Sequence, residues 1–303
     1  MSLRQIEYLL AAVEEGSFTA AARRLEVAQP TLSHQVRALE ATVGQTLLER
    51  GAGAMHLTPE GRAYVPHAAA ALRAADAARR ACRGDAAAEA RELRIATLYS
   101  LALGILPRAI RAWRAAHPDA RIEVREYANA EALAEQMALG VADVGVGPRP
   151  RRWDGPLTVL GDEDLVLVLG LDDPFARRRR LRLADLAERA WVLYAVENSL
   201  SPVVERACAA AGFAPRAAVR TTHTATAVSL AAAGLGPALA PRSIVDPALR
   251  AALVAPDPPV RRELVAYTTA DRERSAASFI ALLADRGAMR RRPTASRARR
   301  ASR

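Results

Sequence analysis

Lysine is absent from this chain: all 43 basic residues are arginine. Together with heavy use of alanine, that reads as coding bias rather than as a functional signal. Cysteine is nearly absent too. Cys82 and Cys208 lie far apart in the chain, and neither has a Cys or His cluster beside it. That excludes a disulfide-stapled scaffold and a structural zinc site, so no metal is expected. A reducing, cytoplasmic compartment fits the same usage. Aromatic residues are only 4% of the chain, so its cores must be built from Ala, Leu and Val. No long apolar run occurs either. The longest uncharged stretch, Thr221 to Pro241, is interrupted by Gly234, Gly236, Pro237 and several Thr, which reads as buried globular structure and not as a membrane span. The opening MSLRQIEYLLAAVEEGSF carries acids inside its apolar stretch and shows no cleavage site, so a signal peptide is not expected.

What is present is a chain of 303 residues, long enough for two or three domains. Its net charge of +10 invites a nucleic-acid partner, but the distribution weakens that inference. Residues 286–303 hold eight Arg and no acid, whereas residues 1–60 hold five Arg against seven Glu. Any argument for DNA binding by the N-terminal part must therefore rest on pattern and not on bulk charge.

That pattern is specific. Apolar residues Ile6, Leu9, Leu10 and Val13 recur at helical spacing, and Gly16 ends the helix. Ser17 is a good N-cap for a short second helix over Thr19–Leu25. A break at Glu26-Val27-Ala28 follows, and a third helix begins with Pro30 in its first turn, where the missing N–H costs nothing. Its Leu32, Val36 and Leu39 share one face, leaving Gln29, Thr31, Ser33, His34 and Arg37 pointing mostly elsewhere. Two short helices joined by a tight turn make a helix-turn-helix. The exposed set offers Gln for adenine, Arg for guanine, and Thr or Pro for the thymine methyl. The competing reading is a plain three-helix bundle with a polar solvent face. Gly51 and Gly53 suit a hairpin turn, and Thr58-Pro59-Glu60 starts a new helix, so the segment between reads as a wing.

From Pro59 to about Ala88 runs a long Ala-rich helix with Val65, Ala69, Leu72 and Ala75 on one stripe. Residues 84–91 read as a hinge. From 92 to 285 strands and helices alternate: LRIAT, a helix from about Ser100 to Ala116, IEVREY, a helix over Glu131–Leu139, then ADVGVG. A second set starts near LVLVLGL and continues through Trp191–Tyr194, a helix around Pro202–Ala211, AAVRT and a helix before Gly234, and the chain returns to the first set near LVAYTT. Alternation of this kind predicts parallel sheets with helices on their faces, in two lobes resembling a periplasmic binding protein. Arg177–Arg180 read as a solvated loop, and GLGPALAP as a turn. The tail 286–303 is low-complexity and reads as disordered, either adding salt-sensitive grip on DNA or doing nothing.

The segments GSFTAAARRLEVAQPTLSHQVRALEATVGQTLLER and HLTPEG resemble the N-terminus of LysR-type transcriptional regulators, and LGVADVGVG and AAAGLGPALAP fall in that family's order. The resemblance covers about residues 1–285. It implies an α plus α/β chain: a winged helix-turn-helix over 1–58, a linker and dimerisation helix over 59–91, and a bilobed effector domain over 92–285. It further implies that Gln29, Pro30, Thr31, Ser33 and His34 face the major groove with Arg37 in support, and that Arg23, Arg24 and Arg50 contact phosphates. There are departures. Ala28 stands where the family usually has a capping Ser, His34 where Arg is common, and the wing over Gly51–His56 lacks a basic residue.

Between the lobes, the expected ligand site lies at strand ends and helix starts. Thr97, Leu98, Tyr99 and Ser100 sit at the first such turn, where free backbone N–H groups favour an anion such as a carboxylate. Asn129 occupies the equivalent turn of the next unit. Asn198, Ser199 and Ser201 precede one helix of the second lobe, and Thr222, His223 and Thr226 another. The partners expected are promoter DNA, a small-molecule effector, RNA polymerase and a second or further copies of the chain, as dimer or tetramer, with no cofactor and no membrane. An enzyme is the first competing class, but no nucleophile motif, metal motif or dinucleotide fingerprint occurs. A transported-solute receptor is the second, and it would not begin with a helix-turn-helix.

Overall fold

The computed structural model describes residues 1–49, 55–82, 92–269 and 274–285. Arg50, the wing glycines Gly51 and Gly53, the hinge at 84–91 and the tail at 286–303 lie outside them. The chain divides into two compact units, Met1–Glu89 with Ala138–Val141 and Ala90–Met137 with Ala142–Arg303.

In the first unit, α1 (Leu3–Glu15) opens with a capping box: the Ser2 hydroxyl accepts from the Gln5 amide, and the Gln5 side chain returns to the Ser2 amide. It ends at Gly16, and the third helix ends at Gly44, both in the left-handed region that a side chain would strain. Helix α2 (Phe18–Arg24) is capped by Ser17, whose oxygen accepts from the Ala20 amide. The turn into α3 (Gln29–Val43) closes with Val27 N–H donating to Ala22 and Glu26 held at φ +53°. As the departure from the family pattern predicts, Ala28 gives α3 no side-chain cap. Leu9, Ala21, Ala22, Leu32, Val36 and Leu39 form the centre of the core, so small alanines let the helices approach closely.

A two-residue ladder pairs β1 (Leu48–Glu49) antiparallel with β2 (His56–Leu57), which gives the base of the expected wing. Thr58 then caps α4 (Pro59–Cys82), its hydroxyl accepting from the Gly61 amide. Within α4, Val65 and Ala69 are buried and Leu72 and Ala75 half-buried, as the stripe predicts. Described as 24 residues, it spans about 36 Å. Pro66 lies inside it and leaves the carbonyl of Arg62 without its helical donor.

The second unit begins with β3 (Glu92–Leu98), α5 (Tyr99–Gly104), α6 (Leu106–Ala116), β4 (Arg121–Tyr127), α7 (Ala130–Ala138) and β5 (Val144–Pro148). The single helix expected over Ser100–Ala116 is two, broken at Ile105 just ahead of Pro107, whose absent N–H cannot continue the ladder of α5 but costs nothing in the first turn of a new helix. Next come β6 (Leu157–Leu169), β7 (Arg180–Arg182), β8 (Ala190–Tyr194), α8 (Ser201–Ala210), β9 (Arg216–Thr221) and α9 (Thr224–Ala232). The chain closes with β10 (Ala238–Pro241), β11 (Ala252–Asp257), β12 (Arg261–Tyr267) and α10 (Arg274–Asp285).

The sheets correct the all-parallel expectation. β3 pairs parallel with β4 and β5, and β8 with β9, but β12 runs antiparallel to β5 and β6, and β10 and β11 antiparallel to β6. The physical reason is the return of the chain: a strand coming back from the second lobe enters the first from its far end. β6 joins the lobes, its first part pairing with β12 and its last five residues with β10 and β11. Two further local expectations are corrected. GLGPALAP is a turn only as far as Pro237, after which Ala238–Pro241 is a buried strand. Arg180 belongs to β7 and pairs with Ala255 of β11, so only Arg177–Arg179 remain in the loop.

Candidate functional site

On α3 the buried positions Leu32, Val36 and Leu39 leave Gln29, Pro30, Thr31, His34 and Arg37 exposed and Ser33 half-buried. These six are spread around the part of α3 that its core face, packed on α1 and α2, leaves uncovered. Arg23 is exposed at the end of α2. Arg24 is engaged, its Nη1 sitting 2.6 Å from Glu14 and 3.0 Å from Glu15. Such surface pairs are worth about 0–1 kcal/mol, so a phosphate could compete for it at little cost. Behind the reading helix, Glu40 turns back: its Oε1 accepts from the amides of Leu47 at 2.8 Å and Leu48 at 3.1 Å. That bond fixes where β1 starts relative to α3.

In the second unit, the strand-end turns named from the sequence separate into two groups. Tyr99, Asn129, Ser199 and His223 meet across the lobes. The Asn129 amide donates to the Glu197 carbonyl at 3.2 Å, the Ser199 amide donates to Ala128 at 3.0 Å, and the Tyr99 and His223 rings stand edge to face at 5.5 Å. Thr222 and Thr226 are exposed beside them in sequence. The others are buried and used by the fold. Thr97 donates to the Val146 carbonyl, Leu98 is core, and Asn198 donates to Thr222 while accepting from the Leu200 amide. Ser201 bonds Glu205. Ser100 is 2% exposed and accepts from Arg262 at 2.8 Å.

Residues 3–62 match the bacterial regulatory helix-turn-helix protein model of the lysR family, and residues 86–288 match the LysR substrate binding domain. The chain belongs to the LysR family of transcriptional regulators. It is 34% identical over 249 residues to BenM of Acinetobacter baylyi, covering 80% of this chain and 81% of that one. To HcaR of Escherichia coli, an operon transcriptional activator, it is 31% identical, covering 80% and 82%. Among solved structures, CbnR, a LysR family regulator, superposes with a TM-score of 0.63 at 27% identity, covering 93% and 98%. OxyR of Pseudomonas aeruginosa shares the fold with a TM-score of 0.74. This LysR-family chain is therefore a DNA-binding transcriptional regulator with an N-terminal helix-turn-helix and a C-terminal effector-binding domain of two α/β lobes.

Sequence reasoning about the regulator passed over Glu163 and Arg262. Both are at most 5% exposed, and they pair at 2.6 Å on neighbouring strands β6 and β12. A signal was available. Glu163 is in phase with Leu165, Leu167 and Leu169, and Arg262 with Leu264 and Ala266, so each charge occupies the inward register of its strand. The buried phenol of Tyr194 donates to the Leu239 carbonyl at 2.9 Å, and burial pushes it well above the ordinary tyrosine range despite the nearby Arg262 charge. Burial, helped by the Glu205 charge, pushes the Cys208 thiol up to about 12. At neutral pH it is un-ionised, which removes the thiolate that oxidants attack. No helix among the described residues is long and apolar enough to cross a membrane.

Proposed function

We propose that this regulator reads a specific operator with α3 and is switched by a small molecule held between the lobes of its second unit. The observation that carries the reading is the set of exposed Gln29, Pro30, Thr31, His34 and Arg37 with half-buried Ser33, on a helix that buries Leu32, Val36 and Leu39 in the core. Gln29, at the first position of the helix, offers the bidentate amide suited to adenine, and Arg37 the guanidinium suited to guanine. Arg23, Arg24 and Arg50 take phosphates and set register without reading sequence. The solved relative CbnR in complex with its target DNA, 26% identical at a TM-score of 0.55, supports the same use of the head.

The effector reading is supported by Tyr99, Asn129, Ser199 and His223, which make contacts from one lobe to the other, since ligand sites form where polar groups from two lobes converge. The exposed Thr222 and Thr226 extend it, while Thr97, Leu98, Ser100, Asn198 and Ser201, buried and engaged within the fold, belong to the framework that holds these turns. An oxygen-rich ligand with a carboxylate suits that set. We place domain limits at 58, 91 and 285, and the cap at Thr58 supports the first of them. The chain acts in the cytoplasm as a dimer or tetramer assembled through α4, so that two reading helices meet the halves of a near-palindromic site. Ligand closure alters DNA bending and the contact made with RNA polymerase; it catalyses nothing. Gln29→Ala tests the reading role: it costs about 1–3 kcal/mol on an operator selected from random DNA and almost nothing on unselected DNA. Equal losses on both DNAs would contradict it.

A further inference from the structure

Three arginines of the second lobe take no part in its ion pairs. Arg177, Arg178 and Arg179 stand consecutively in the loop ahead of β7, and all three are exposed. Consecutive Cα atoms lie about 3.8 Å apart, so the three long side chains serve one patch. The next arginines along the chain each have a carboxylate. Arg180 meets Asp257 at 3.1 Å, Arg182 meets Asp185 at 2.8 Å and Arg189 meets Asp173 at 2.8 Å. Among the described residues no carboxylate pairs with Arg177, Arg178 or Arg179. The loop that carries them is firmly built. Asp173 accepts from the Phe175 amide at 2.9 Å through one oxygen and from Arg189 through the other. The Ala176 amide donates to Asp173, the Arg178 amide to Phe175, and the Ala255 amide of β11 to the Arg179 carbonyl. Phe175 and Ala176 pack against the second-lobe core.

Like charges so close repel, and a backbone fixed at both ends limits how far they separate, so the loop favours a partner that brings negative charge. The structural alternative is protection of an edge: β7 is the last strand of its sheet, and charge there discourages pairing with another chain. Arg180 and Arg182 already serve that purpose from the strand itself, whereas the three free arginines lie ahead of it. Two features favour a DNA backbone over an acidic protein. Protein interfaces centre on apolar and aromatic anchors, but the loop packs its one ring, Phe175, on the core and leaves Leu171 as its exposed large apolar side chain. The regulator also binds DNA with a head poor in positive charge: residues 1–60 hold five Arg against seven Glu, and α3 carries one arginine, Arg37.

We propose that Arg177, Arg178 and Arg179 are a second DNA contact, a basic loop of the effector domain that holds backbone phosphates of the DNA the regulator binds. It adds affinity and reads no sequence.

The test uses the full chain on a duplex of about 150 base pairs, one persistence length of DNA, carrying an operator selected from random sequence. Affinity is measured from about 50 to about 200 mM salt. One variant carries Arg177→Gln, Arg178→Gln and Arg179→Gln. A second removes the same charge from scattered exposed sites of the same unit, with Arg152→Gln, Arg242→Gln and Arg250→Gln. All six positions are exposed, so both variants keep the parent's circular dichroism and its size in solution. Each phosphate contact adds about 0.9 to the salt slope, so three add about 2.7, and over that fourfold range the parent loses about 40-fold more affinity than the loop variant. The scattered variant keeps the parent's slope. A loop variant with the parent's slope overturns the proposal and leaves the reading of DNA by the head intact. Equal flattening in both variants also overturns it, since bulk charge and not this loop would then be acting. If the loop variant binds DNA as the parent does yet fails to alter transcription by purified RNA polymerase, the loop meets an acidic protein and the proposal falls.

Discussion

Replacing Glu40 by alanine removes one carboxylate oxygen that accepts from two amides, Leu47 at 2.8 Å and Leu48 at 3.1 Å. Both residues are at most 1% exposed and Glu40 is half-buried, so water reaches the vacated place only in part. A buried donor left unsatisfied costs about 1–3 kcal/mol, so two cost up to about 6 kcal/mol, and partial access of water to the place of Glu40 brings the loss to about 2–4 kcal/mol. A domain's whole stability is about 5–15 kcal/mol, which makes that a large share for one exchange. Glu40→Gln keeps an acceptor oxygen at the same reach and gives up only the charge, so it costs about 1 kcal/mol. Urea denaturation of the full chain gives the two values, and amide hydrogen exchange at Leu47 and Leu48 locates them. Exchange at both amides accelerates in the alanine variant and much less in the glutamine one. A loss below about 0.5 kcal/mol for alanine, or equal losses for both variants, would refute the argument that two buried amides depend on this oxygen.

Other outcomes follow from single residues. Glu26 sits at φ +53° in the turn before α3, so Glu26→Gly relieves left-handed strain and stabilises the head by about 0.5–1 kcal/mol, read as a raised melting temperature; a loss would show that its side chain holds the turn. For Cys208, folding raises the thiol from 9.0 to about 12. A group raised on folding gives stability that is complete below its unfolded value and is lost as pH climbs towards the folded one. Stability therefore falls between pH 9 and 12, and Cys208→Ser flattens that fall; unchanged curves for the two proteins would contradict the assignment. The same thiol stays unmodified by mild peroxide at neutral pH, as mass spectrometry of the treated protein checks.

How much of this was readable in the residues varies with the range of the interaction. The helix-turn-helix was readable almost residue by residue, because caps at Ser17 and Thr58, Gly stops at 16 and 44, and the Leu32-Val36-Leu39 face are all local signals. The break at Ile105 was a local signal passed over, since Pro107 announces it. Strand direction was not local. Whether β12 runs with or against β6 depends on where residues 170–260 leave the chain, and periodicity within one strand is the same either way. Of the expected cleft residues, Tyr99, Asn129, Ser199 and His223 are brought together, whereas Thr97 and Asn198 carry bonds within the fold. Hydroxyl and amide side chains at strand ends serve both purposes, and composition does not distinguish them. Glu163 and Arg262 pair across 99 positions of sequence, a separation at which only their inward register gave any hint.

Genome-wide mapping of DNA fragments bound by the purified full chain at defined salt tests most directly whether the head reads sequence as a two-fold assembly. A few sharp sites sharing an interrupted palindrome, lost in Gln29→Ala and retained as salt rises through the physiological range, are the expected result. Diffuse binding without a shared motif, vanishing with salt as bulk charge contacts do, would contradict it.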